Sequence, residues 1–241
     1  MNTVADSFWL AARLIADADA DADSALWHIV GLSLRVSGTA CVLGACAGLL
    51  LGTWLAVARF RGLGVLVWGL NTLLALPSVV VGLLVYLLLS RAGPLGPLGI
   101  LFTPTAMVIA QSILVVPLIA ALSRRLVLDA LRDGGDPLQS MGATPLLAGA
   151  ILLVHERFAV LTILLTAFGR AIAEVGAVMI VGGNVDGVTR VMTTAIALET
   201  SKGDLPLALA LGIVLLAVVG AVNLAVGAMQ AHSPLAREAL V

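Results

Sequence analysis

The stretch FGRAIAEVGAVMIVGG, Phe168 to Gly183, sets an arginine and a glutamate inside a run that is otherwise apolar or small. Arg170 and Glu174 stand one helical turn apart. At the centre of a bilayer each charge costs about 2.5 to 3.5 kcal/mol, while each Leu, Ile, Phe or Val returns only about 0.3 to 0.6 kcal/mol. A span from Phe158 to Gly182 carries a dozen of those apolar residues, so it inserts only marginally by itself. Such a helix is expected to face the interior of a bundle, with Arg170 and Glu174 neutralising one another at i, i+4. Two roles stay open for the pair. It fixes the helix in the bundle, or Arg170 lends positive charge to a translocation path while Glu174 holds it in place.

Working outward, the rest of the chain supports the membrane reading. Of its 241 residues, 61% are hydrophobic and 11% charged, against roughly 25% charged in a soluble domain. Too little remains outside the apolar runs for a second domain with its own core. The expected class is an all-α polytopic membrane protein. Hydropathy divides it into five spans near residues 29–57, 64–89, 99–122, 158–182 and 205–229. A net charge of −1, with no basic patch interleaved with aromatics, argues against a nucleic-acid partner.

Arginine placement orients the spans. Arg59, Arg61, Arg124, Arg125, Arg132, Arg157 and Arg237 fall on one side of a five-span chain. Arg13, Arg91, Arg190 and Lys202 fall on the other, and Arg35 can snorkel there from the first span. The excess puts the N-terminus outside and the C-terminal tail, 231–241, in the cytoplasm. The region 1–28 divides in two. SFWLAARLI is amphipathic and is expected to lie in the membrane interface. Asp17, Asp19, Asp21 and Asp23 resemble the start of a calcium loop, but Ala22 and His28 replace the required glycine and glutamate. A solvated linker is expected there, and no metal or other cofactor anywhere. Cys41 and Cys46 point to different faces of one helix and cannot bridge. Gly44, Gly48 and Gly52 form two overlapping GxxxG steps that suit close helix packing against other helices.

The cytoplasmic segment 123–157 carries a second pattern. Gly134-Gly135 is expected to end the helix that leaves the third span. Asp136-Pro137 then reads as a cap and first residue of a helix barely longer than a turn, closed by Gly142. Thr144-Pro145 repeats the cap-and-proline start. So short a helix is unstable alone, and docking to a partner accounts for its elaborate punctuation better than a solitary loop does.

On these residues the chain resembles a known family. DPLQSMG is similar to the "EAA" loop of ABC-importer permeases, with Asp136 as the acid and Gly142 as the glycine. Pro137 and Leu138 replace the two alanines, and His155 stands where a proline is common. The stretch LALPSVVVGLLVYLLLSRAGPLGPLGILFTPTAMVIAQSILVVP resembles permeases for molybdate, sulfate and tungstate. GRAIAEVGAVMIVGGNVDGVTRVMTTAIALETSKGDLPLALALG is closest to the tungstate type. The resemblance implies a five-helix type I ABC-importer transmembrane core, 29–230, preceded by the interfacial helix. It also implies a homodimer in membrane lipid, cytoplasmic ATPase subunits docked at Asp136, Pro137, Leu138, Gly142 and Ala143, and an extracytoplasmic oxyanion-binding protein. ATP hydrolysis would belong to the partner, because no GxxxxGK[ST] phosphate loop is present.

After the fourth span, VGGNVDGVTRVMTTAIALETSKGD is too polar to cross. Gly182, Gly183 and Asn184 are expected to turn, and Thr189 to Thr200 to form a short helix at the outer rim. Glycine amides and the hydroxyls of Thr193 and Thr194 could bind oxyanion oxygens there, an alternative to ordinary exposed-loop chemistry. A self-contained secondary transporter would show internal repeats or paired broken helices, and five spans show neither. An intramembrane enzyme would need a nucleophile, paired acids or a metal cluster. His28, His155 and His232 are scattered, and the only intramembrane acid is assigned to Arg170.

Overall fold

The structure, a computed structural model, describes residues 4–16 and 25–231. The acidic linker and the C-terminal tail lie outside the described residues. Among the described residues ten α-helices follow in order: α1 (Val4–Ala16), α2 (Ala25–Val57), α3 (Leu63–Leu74), α4 (Ser78–Leu89), α5 (Pro104–Ser140), α6 (Pro145–His155), α7 (Arg157–Ile172), α8 (Gly176–Gly182), α9 (Met192–Lys202) and α10 (Leu205–Ala231). The same residues contain no strand, and the chain is an all-α, multi-pass membrane protein. Leu26–Val57, Pro104–Arg132 and Leu205–Met229 are long and apolar enough to cross a bilayer unbroken.

Two further pairs of helices are long and apolar enough to cross only when taken together, and each pair is sharply bent. The second expected span divides into α3 and α4, bent by 99°. Pro77 supplies the reason: it brings no N–H, and it disfavours helical backbone at Leu76 before it. The fourth departs further from expectation. There α7 begins at Arg157 after a 79° bend from α6 at Glu156 and ends at Ile172. A continuous helix from Phe158 to Gly182 does not form. Broken helices in a membrane require their freed backbone groups to be satisfied by neighbours, and the break after Ile172 meets that demand with side chains.

The helices fall into two compact units. One comprises the chain through Thr39, Pro77–Gln111 and Ile172–Ala221. Here α4 packs on α8 through glycines. A Cβ on Gly82 would stand 2.7 Å from the Cα of Ala177, and one on Gly176 would stand 2.7 Å from Val79. Phe8, Trp9 and Leu10 of α1 are exposed, and the Arg13 guanidinium lies 5.2 Å from the Trp9 ring centroid.

The other unit comprises Ala40–Leu76, Ser112–Ala171 and the chain from Val222 onward. The glycine column of α2 is its seam. A Cβ at Gly44 would meet Val115 at 2.7 Å and one at Gly48 would meet Ile119 at 2.8 Å. One at Gly52 would collide with the Ser123 hydroxyl. The glycines therefore bring α2 against α5 at backbone distance, as the GxxxG spacing predicts. Buried Val115, Ile119, Ile163, Ala167 and Ala171 continue the core around Cys41. Cys41 is buried and Cys46 exposed, both free, so they do face different ways.

Candidate functional site

Two regions carry the expected site residues. The first is the turn after α5. That helix does not stop at Gly134-Gly135; it runs 37 residues through Asp136, Pro137 and Leu138 to Ser140. The expected separate helix of barely more than a turn is therefore a continuation of α5. Glycine permits a left-handed residue without demanding one, and Pro137 forfeits only its bond to the carbonyl four residues back, close to the helix end. At about 1.5 Å per residue α5 is about 55 Å long, well beyond a hydrocarbon core of about 30 Å.

The expected stop at Gly142 does occur. Gly142 is left-handed, with φ +86°, and the N–H of Ala143 donates to the carbonyl of Leu138 over 3.1 Å. This six-to-one bond around a left-handed residue is a Schellman ending. Thr144 then caps α6 with its hydroxyl accepting from the N–H of Leu147 at 3.4 Å, and Pro145 opens the helix. The resulting tip is exposed and apolar: Met141 is 84% accessible, Leu146 51% and Leu147 52%.

The second region surrounds the break between α7 and α8. Arg170 sits exposed in the last turn of α7, where the helix dipole favours a cation. Glu174 lies beyond the helix end. Its Oε1 accepts from the N–H of Ala177 at 3.2 Å, in the first turn of α8, and its carbonyl accepts from the Thr193 hydroxyl at 2.8 Å. The i, i+4 ion pair read from the sequence thus does not form, because the helix that would align the two residues has ended. Among the described residues neither enters an ion pair.

The expected turn at Gly182, Gly183 and Asn184 is present, with φ +67° at Gly183 and +51° at Asn184. The helix after it begins at Met192 rather than Thr189. Thr189 instead braces the turn. Fully buried, it donates to the Gly182 carbonyl at 2.6 Å and accepts from the N–H of Val185 at 2.9 Å. Asn184 donates through Nδ2 to the Thr194 carbonyl at 3.3 Å. Thr194 spends its hydroxyl proton on the Val191 carbonyl at 3.1 Å, as Thr193 spends its own on Glu174. The N–H of Gly183 is bonded to the Met179 carbonyl at 3.0 Å. These groups are committed to holding the turn and are not free to donate to an anion.

Sequence reasoning missed Thr189, Ser33 and Phe102. Ser33 accepts from the N–H of Met192 at 2.8 Å while donating to Ile29 at 2.8 Å, fastening α9 to α2. A polar residue within an apolar run was the available signal. Phe102 gave none. It adopts φ +60°, its N–H donates to the Val181 carbonyl at 3.0 Å, and its ring covers Gly183. Tyr86 flanks that ring, with centroids 6.2 Å apart.

Comparison with known proteins adds the remaining evidence. No protein-family model matches the chain. It is 42% identical over 235 residues to the tungstate uptake system permease protein TupB of Peptoclostridium acidaminophilum, covering 95% of this chain and 99% of that protein. It is 42% identical over 203 residues to a probable anion ABC transporter permease protein of Haloferax volcanii, covering 82% and 88%. The TupB of Campylobacter jejuni is 40% identical over 153 residues, 64% of each chain.

Proposed function

Since this chain belongs to the family of anion ABC transporter permeases, we propose that it is the membrane-spanning subunit of an ATP-driven oxyanion importer whose cargo is tungstate. The observation that carries this reading is 42% identity across nearly the full length of both chains to a tungstate uptake permease. In it the chain works as a homodimer, forms the translocation path and couples that path to separate ATPase subunits. An extracytoplasmic protein delivers the anion. The arginine distribution supports an N-terminus outside and a C-terminus in the cytoplasm.

The exposed tip around Met141, Gly142 and Ala143 is the ATPase contact in this reading. Its apolar side chains stand in water without a partner, as a docking surface requires. The turn from Gly182 to Asn184 belongs to the outer end, where its committed hydrogen bonds suit a shaped wall rather than a set of oxyanion donors. Arg170 is the pathway residue. Its charge is exposed near the end of a membrane helix, and Glu174 is occupied elsewhere. Intramembrane cations without a protein counter-ion mark ion pathways, and one exposed guanidinium attracts a dianion without holding it fast.

Uptake of labelled tungstate by cells lacking the chain tests both levels. Wild type should restore uptake. Arg170→Ala should reach the membrane at near-normal level and restore less than about a tenth of it, since one charge-assisted contact is worth roughly tenfold or more. Unchanged uptake on deleting the chain would overturn the cargo. Full uptake by Arg170→Ala would overturn only the pathway residue.

A further inference from the structure

A groove in the second unit has no part in the reading above. About 330 Å³ in volume, it lies between α5, α7 and α10, at the end where α5 leaves the spanning segment, α7 begins and α10 finishes. Its floor is apolar, formed by Leu122, Leu126, Ile163 and Met229, with Thr162 as the one uncharged polar residue in its lining. Its mouth is charged. Arg125 and Asp129 line it, and Arg132 reaches Asp129 at 3.4 Å from one turn further along α5. Arg157 stands over the ring of Phe158, which forms the opposite lip, 5.3 Å from its centroid.

Arg125 and Arg132 therefore share one aspartate, and Arg157, next in the chain to Glu156, adds a guanidinium at Phe158. Arg125 and Arg132 are 86% and 77% exposed, and the Arg125–Asp129 contact is long, at 4.0 Å. A single exposed carboxylate shared between two guanidiniums in this geometry satisfies neither. What remains is a net positive mouth at the level of the membrane interface, above an apolar slot that opens sideways. We infer that this groove is a binding site for one anionic phospholipid, its phosphate on Arg125 and Arg132 and one acyl chain along Leu122, Leu126 and Ile163. Charge selects the occupant. A zwitterionic lipid brings no net charge to a mouth where guanidiniums outnumber carboxylates, and basic pockets between membrane helices are suited to anionic headgroups. A second copy of this chain would have to bring an unpaired acid to the mouth, and Asp129, the acid that lines it, is already shared between Arg125 and Arg132.

The test uses the full-length chain in vesicles of phosphatidylethanolamine with a minor share of phosphatidylglycerol, re-extracted gently, with retained lipid read by mass spectrometry. Wild type should retain phosphatidylglycerol well above its share of the vesicle. Arg125→Ala with Arg132→Ala should lower that enrichment by roughly fivefold per arginine, at normal yield. Arg61→Ala, an interfacial arginine outside the groove, should not change it. Thr162→Trp, which fills the slot and leaves every charge in place, should also abolish it. Bulk-ratio lipid on wild type, a preference for phosphatidylethanolamine, or enrichment that survives the double arginine variant would each overturn the inference. Because uptake is not the readout, failure here is separable from failure of the tungstate reading.

Discussion

Gly142 and Gly183 use the same backbone device in opposite surroundings. Both are left-handed, at φ +86° and +67°, and both follow a helix end. Around Gly142 a Cβ would meet nothing within 4 Å; around Gly183 it would stand 2.7 Å from the Phe102 ring. One turn is finished by the chain itself. The other is left open. The contrast separates a region whose shape the fold fills from one that it leaves open, and it predicts that equal backbone strain will have unequal consequences.

The largest effect should come from closing the filled turn. Gly183→Ala adds left-handed strain of about 1–2 kcal/mol to overpacking of about 1–3 kcal/mol against Phe102. Folded, detergent-extractable protein should fall sharply. Adding Phe102→Ala should recover the packing share and leave the strain, so complete recovery would show that backbone strain contributes nothing. Gly142→Asp carries the strain of about 1–2 kcal/mol without the clash. Membrane yield should stay near normal while the ATPase subunit is lost on purification and uptake fails. A Gly142→Asp protein that keeps its ATPase would remove the contrast between the two turns. Smallest is Glu174→Ala, which removes one side-chain hydrogen bond to the first turn of α8, at about 1 kcal/mol, and leaves the Thr193 bond to the backbone intact. A thermal-shift loss of about 3–5 kcal/mol, the scale of a broken buried ion pair, would restore the pairing that the helix break has dissolved.

Most of the fold was legible because lipid leaves a helix few alternatives. The spans at α2 and α10, the glycine seam and the caps at Thr144 and Gly142 follow from local rules that a bilayer enforces. Hydropathy failed where helices break without leaving the membrane. It saw the apolar content of α3–α4 but not the 99° bend at Pro77. It also extended the fourth span through Ala173 and Glu174, although Gly176 follows two residues on. The cause there is tertiary: Thr193, 19 residues downstream, takes the Glu174 carbonyl, and no window along the chain contains that bond. Gly134-Gly135 misled in the other direction, because two glycines lower the cost of a break without compelling it. Site residues were legible as types and poorly as roles. Glu174 stood out as a charge in an apolar run, but its side-chain partner is the backbone amide of Ala177 rather than Arg170.

The unbroken run of α5 past Gly134 has a mechanical consequence. From Ser112, one turn ahead of the Val115 contact with the glycine column of α2, to Ser140 the helix is continuous. A rod of this kind does not bend to absorb a push at its tip. Pivoting a 29-residue arm of about 43 Å by a few degrees carries the tip through a few ångströms. Any stroke delivered beside Gly142 is therefore felt at Ile119 with no lost motion, and slack has to be taken up where the chain does fold, at Ala75–Pro77 and at Glu156. The gearing is written into the backbone, and a flexible insertion after Arg132 would strip it while leaving both ends intact.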